Sequence, residues 1–302
     1  MGTPDFAVPS LDILIGNGYA IPAVVTAPDR PRGRGQEIGP TPVKLAALKA
    51  GLTVLQPEDL GDQSFVARLD ALQPDLIVVV AFRILPREVF VIPRRGAFNL
   101  HASLLPRYRG AAPINWAIIN GETETGVSTF FLEEKVDTGG IILQAALPIL
   151  PDDDAGTIHE KLARLGADTV LKSVRMIEEG KAQPLPQDNT LATPAPKIFK
   201  EDCRIRWDLP AAQVRNLVRG LSPVPSAWTI YQEKVVKLFR VSVSRIPGAG
   251  QPGELLLTST SLLAATGDFF VAIEELQLEG RKRMRIEEFL RGYHPRTGEK
   301  FT

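Results

Sequence analysis

Three stretches of the 302-residue sequence combine side chains able to do chemistry with turn residues able to aim them. The densest is Phe98-Asn-Leu-His-Ala-Ser-Leu-Leu-Pro-Arg-Tyr-Arg-Gly110. Asn99 and His101 stand two apart at the end of an apolar run, so in a strand both side chains leave the same face. An amide donor and an imidazole at such an edge can stabilise an oxyanion and move a proton. A lone histidine near a strand end more often merely caps the strand. The apolar loop that follows, carrying two arginines and a glycine, has no such packing explanation. The second stretch is Val136-Asp-Thr-Gly-Gly140. Asp137 suits a common Asx-type turn; its functional reading is a carboxylate that orients His101. The third is Pro28-Asp-Arg-Pro-Arg-Gly-Arg-Gly35. It reads either as a solvated charged loop or as a set of phosphate-backbone contacts, where charge positions a polymer without reading its sequence.

Several other chemistries lack their signatures. Gly16-Asn-Gly18 has Ile21 where a third glycine would stand, and it follows a helix rather than a strand. Gly33-Arg-Gly35 fails likewise, and no phosphate-loop, serine-elbow or H-E-x-x-H motif is present. A dinucleotide-dependent oxidoreductase is therefore disfavoured.

The elements that must position these residues alternate along the first half. Apolar, β-branched runs at 21–27, 76–81 and 96–100 predict strands, with helical patterns at 9–15, 42–50 and 64–72 between them. The run Asp75-Leu-Ile-Val-Val-Val-Ala81 lacks alternation, as expected of a strand buried on both faces of a parallel sheet. Further strands are expected at 127–132 and 141–149, and a long helix at 155–179. The fold class expected is α/β, a doubly wound sheet. Such a sheet should have a strand before the opening Met1-Gly-Thr-Pro-Asp turn, and the sequence suggests that about five residues are missing there. Four prolines between 181 and 202 predict an extended connector. Beyond it, one helix at 211–221 and short strand-like runs at 227–231, 235–243, 254–258, 261–265 and 269–278 suggest a small β-barrel.

Composition narrows the class. Only Cys203, His101, His159 and His294 represent the usual soft metal ligands, which excludes a disulfide framework and makes a metal cluster unexpected. No apolar run approaches the ~20 residues that span a bilayer, so a cytoplasmic protein without a membrane partner is expected. The 35 basic and 35 acidic side chains are unevenly spread. Residues 204–302 hold 15 basic against 10 acidic, and residues 1–203 hold 20 against 25. The split is compatible with a polyanion-binding module at the carboxyl-terminal end, or with ordinary scatter.

Gly2-Thr-Pro-Asp-Phe6, the Asp29–Gly35 loop, Asn99-x-His101, Ser103-Leu-Leu-Pro-x-Tyr-Arg-Gly110 and Asp137-Thr-Gly139 together resemble the methionyl-tRNA formyltransferase family, in its order and spacing. Gly280-Arg-Lys-x-Met284 with Glu288-Phe-Leu290 extends the resemblance over essentially the whole chain. It implies a catalytic formyltransferase domain at 1–182, a linker at 183–203 and an OB-like tRNA-binding barrel at 204–302. It further implies Asn99, His101 and Asp137 as the catalytic set and 10-formyltetrahydrofolate as formyl donor, with no metal. Phe82, Ser103, Leu104, Leu105 and Pro106 would line the folate cleft. Arg30 and Arg34 would meet initiator methionyl-tRNA, and the enzyme would act as a monomer in translation initiation. Arg83 and Gly140 depart from the residues frequent in the family at those places. Alternatives left open are a formyltransferase acting on a small amine, such as a sugar nucleotide or glycinamide ribonucleotide, and an RNA-binding protein with a dead catalytic domain.

Overall fold

In the computed structural model, which describes residues 1–32, 37–248, 250–258 and 260–302, the apolar runs and helical patterns become elements close to their expected places. The helices are α1 (Val8–Gly16), α2 (Pro42–Lys49), α3 (Gln63–Ala71), α4 (Arg87–Phe90), α5 (Pro113–Ile119), α6 (Ala155–Glu178), α7 (Ala211–Leu221) and α8 (Ile286–Gly292). Local chemistry starts several of them. The Thr41 hydroxyl accepts the Lys44 N–H at 3.0 Å with Pro42 in the first turn, and the Asp62 carboxylate accepts the Ser64 and Phe65 N–H groups.

The chain divides into two compact units. The first comprises 1–110, 125–148 and 159–195. Its strands are β1 (Val24–Val25), β2 (Arg30–Arg32), β3 (Glu37–Gly39), β4 (Val54–Leu55), β5 (Ile77–Val80), β6 (Ala97–His101), β7 (Arg109–Gly110), β8 (Glu124–Phe131), β9 (Ile141–Pro148) and β10 (Pro194–Ala195). β1 pairs parallel with β4, and β5, β6, β8 and β9 form a second row in that order. β5 and β6 run parallel; β8 runs antiparallel to β6. Met1 and Gly2 join the two rows: the Gly2 N–H donates to Val25 O, and the Val80 N–H to Met1 O. The strand expected before the opening turn is thus represented by these two residues. In line with them lies a cavity of about 700 Å³, lined by the apolar stretches 20–25 and 74–78. Side chains of α3 and α4 join Val25, Ile77, Val79 and Ala97 in one apolar cluster. On the opposite face α6 approaches the sheet, its Gly166 lying against Leu100 and its Ser173 hydroxyl 2.7 Å from that of Thr129. This is a doubly wound, Rossmann-like sheet with helices on both faces.

The second unit comprises 111–124, 149–158 and 196–302. β11 (Ala227–Tyr231), β12 (Lys234–Pro247), β15 (Phe269–Leu278), β14 (Leu262–Ala265) and β13 (Leu255–Leu257) follow one another in an antiparallel sheet, with β16 (Met284–Arg285) beside β15. Register shifts along the long β12 let it bend, as bulged strands of small barrels do. The arrangement is compatible with an OB-like barrel. Its core gathers Val214, Val218 and Leu221 of α7 with Leu238, Ile273 and Leu276 of the sheet. Phe301 closes the core by stacking on Trp207, with ring centroids 5.4 Å apart.

Candidate active site

Ala97, Asn99 and His101 alternate onto one face of β6. Ala97 is sealed in the apolar cluster with Ile77 and Val79, whereas Asn99 is half-buried as the row reaches the strand's carboxyl end. Ligands of open α/β sheets bind at that end. Among the described residues, the Asn99 amide has no hydrogen-bond partner, so its N–H groups are free to meet a ligand oxygen.

His101 is 6% exposed. Its Nε2 lies 2.8 Å from the Tyr108 carbonyl oxygen and its Nδ1 lies 3.8 Å from Asp137 Oδ2. A carbonyl can only accept, so Nε2 carries the proton of that bond. Nδ1 is then the nitrogen at which protonation can change. The 3.8 Å contact is a charge contact, longer than a hydrogen bond.

Asp137 stands in the turn between β8 and β9 with φ +57°, in the left-handed region that a residue with a Cβ seldom occupies. Its Oδ2 accepts the Gly110 N–H at 2.9 Å, and the Thr138 hydroxyl donates to Lys135 O at 3.0 Å. A Cβ on Gly139 would come within 1.8 Å of Phe131 O, so the third residue of the Asp-Thr-Gly turn must be glycine. At Gly140 a Cβ would press on Pro184.

The loop after β6 is held from below. Ser128 stands opposite His101 in the β6–β8 register and is fully buried. Its hydroxyl donates to Ser103 O at 2.6 Å and accepts from the Leu105 N–H and from Gln144 Nε2. Gln144 Nε2 also donates to Leu105 O. Ser103 and Leu105 turn inward, the Ser103 hydroxyl donating to Arg107 O. Leu104, Pro106 and Phe82 are half-buried and have surface to offer a ligand. Arg83 spends its guanidinium on the carbonyls of Pro57 and Glu58, which fixes the stretch after β5. Ser128 and Gln144 carried no motif signal in the sequence, since only the strand register brings them to the loop.

Arg30 is exposed at the start of β2, which pairs with β3 as an antiparallel hairpin. The base of that loop is tied down by Asp29, which accepts from Lys44 Nζ and Gln56 Nε2. Arg34 lies outside the described residues.

A family model described as "Formyl transferase" matches residues 1–174, and one described as "Formyl transferase, C-terminal domain" matches 197–294. The chain is 47% identical over 300 residues to a methionyl-tRNA formyltransferase of Syntrophus aciditrophicus, covering 99% of this chain and 96% of the relative. A methionyl-tRNA formyltransferase of Bacteroides fragilis is 47% identical over 304 residues, covering 97% and 94%. The chain belongs to the methionyl-tRNA formyltransferase family. Among solved structures it shares its fold with an N-formyltransferase of Helicobacter canadensis in complex with folinic acid and dTDP-3-aminofucose, at TM-score 0.66 and 18% identity. That match covers 90% of this chain and 97% of the other. HypX of Aquifex aeolicus, in complex with tetrahydrofolic acid, aligns at TM-score 0.60 and 23% identity, over 80% of this chain and 43% of that one. Among the described residues, no helix is long and apolar enough to cross a membrane.

Proposed function

We propose that this chain transfers the formyl group of 10-formyltetrahydrofolate to the amino group of methionine esterified to initiator tRNA, in the cytoplasm. The single observation that carries the chemistry is the apposition of His101 Nδ1 and Asp137 at the carboxyl end of β6, with the free Asn99 amide on the same strand face. Relatives 47% identical along nearly the whole chain, named methionyl-tRNA formyltransferases, support the choice of substrate.

The methionine nitrogen forms a bond to the formyl carbon, and the carbonyl electron pair moves onto oxygen. The Asn99 N–H and the imidazolium of His101 receive that negative charge, the kind of preorganised contact whose loss costs roughly 10²–10³ in rate. The attacking nitrogen must lose a proton and the folate nitrogen must gain one as the second C–N bond breaks. His101 Nδ1 and Asp137 form the route for those transfers, while the Tyr108 carbonyl keeps Nε2 out of them. In this reading residues 1–182 hold the chemistry. Residues 204–302, with five more basic than acidic side chains, hold tRNA, and Arg30 and Arg34 approach its acceptor end. Half-buried Phe82, Leu104 and Pro106 face the donor; Ser103 and Leu105 shape the loop that carries them.

The test is incubation with methionyl-tRNA and 10-formyltetrahydrofolate, followed by detection of N-formylmethionine after ester hydrolysis. Formylation of a dTDP-amino sugar instead would overturn the assignment of the acceptor.

A further inference from the structure

Both protein partners of His101 are held by one stretch of chain, 185–195, which belongs to neither of the strands that carry the site. Leu185 exchanges two backbone hydrogen bonds of 2.8 Å with Ile141, at the start of β9. Two residues on, Gln187 Nε2 donates to the carbonyls of Asp137 at 3.0 Å and Gly139 at 2.9 Å. Its Oε1 accepts from Arg109 Nε at 3.1 Å and Nη2 at 2.6 Å. Arg109 Nη2 reaches Asn189 as well. Thr193 then takes the Tyr108 N–H on its hydroxyl and the Arg109 N–H on its carbonyl, and β10 pairs with β7 in parallel register. Gly110, whose N–H holds the Asp137 carboxylate, has φ +124°, and a Cβ there would meet Ala195 O.

We propose that Gln187 is the positioning residue for Asp137. Its amide nitrogen bridges two carbonyls of the strained turn, its oxygen locks the Arg109 side chain of the opposing β7, and the Asp137 carboxylate is thereby aimed at His101 Nδ1. A glutamine is the residue this requires: one end must donate twice and the other accept twice from a guanidinium. Glutamate would keep the Arg109 contact and face the two carbonyls with an oxygen. Alanine would leave the left-handed Asp137 without the bridge that holds it. The role rests on the formyl-transfer reading of the site, since it acts only through Asp137.

The experiment compares the full chain with Gln187→Ala and Gln187→Glu in two readouts. Hydrogen exchange at the Gly110 amide reports the Gly110–Asp137 bond directly, and the Leu100 amide in β6 serves as internal control. Both variants are expected to exchange Gly110 at least about tenfold faster with Leu100 unchanged, which a loss of tenfold in closing equilibrium would produce. In steady-state formylation both should lose about 10–100-fold in kcat, with KM for either substrate within about threefold, as for a misaimed group that does not bind substrate. Wild-type Gly110 exchange in Gln187→Ala, or wild-type kcat in Gln187→Glu, would overturn the proposal. The second result would reduce Gln187 to an anchor for Arg109. A wild-type chain that formylates nothing would refute the proposed reaction, and Gly110 exchange would still decide the clamp.

Discussion

At His101 the Tyr108 carbonyl commits one ring nitrogen, so in the proposed reaction proton transfer falls to Nδ1 and to the carboxylate 3.8 Å from it. Asp137→Asn isolates the carboxylate's charge, because the amide oxygen can still accept the Gly110 N–H while the negative charge facing the ring is gone. We expect Asp137→Asn and His101→Ala each to lower kcat by about 10²–10⁴-fold, the range for lost proton transfer. Asn99→Ala should lose about 10²–10³-fold, the range for one oxyanion donor. Single-turnover formylation measures all three, and near-wild-type rates in any variant would remove that residue from its role. These three residues were legible in the sequence because each is a polar type placed where a strand end or a turn must expose it. Gln187, Ser128 and Gln144 were not. Their partners lie 48–50, 25 and 39 positions away, and no local spacing encodes such contacts.

Among elements, the core strands and longer helices were legible because apolar periodicity and turn residues are local. The short pieces were not: β4 has two residues, α4 has four, and β7 and β10 exist only through each other. The four prolines of 181–202 correctly forbid a helix, yet composition says nothing of where an extended segment pairs. Two element junctions carry measurable consequences. Ser128, fully buried between β8 and the loop after His101, makes three hydrogen bonds. Ser128→Ala leaves the Leu105 N–H without its acceptor, and should destabilise the fold by about 1–3 kcal/mol in urea titration. Its KM for the folate donor should rise as the loop loosens. In the second unit, Asp268 caps α7 from a distant turn. The Ala211 N–H at 2.8 Å, then the Phe269 N–H and the Thr266 hydroxyl, hold its carboxyl below the usual carboxylate range. The folded group therefore ionises more easily than the unfolded one. Its contribution is complete above about pH 4 and is lost as pH falls through the lower folded value. Asp268→Ala should cost about 1 kcal/mol at pH 7, as caps usually do. The gap to wild type should shrink in unfolding measured near pH 2–3. A constant gap would deny the carboxylate its role.

Over the whole molecule, the seam of the first unit between β1 and β5 is a place where an apolar cavity remains. Met1 and Gly2 bridge the two edges, and the 700 Å³ cavity continues their line between two apolar walls. Placing five Val or Ile residues ahead of Met1 tests the seam. The added side chains should enter the cavity as a strand paired on both edges. Each buried side chain contributes about 1.5–3 kcal/mol against an ordering cost of about 1–2 kcal/mol per residue. A higher melting temperature is expected. A Gly-Ser extension of equal length should not match that gain in melting temperature, because it fills no cavity. Equal melting temperatures for the two extensions would mean that the walls at 20–25 and 74–78 do not accept a strand.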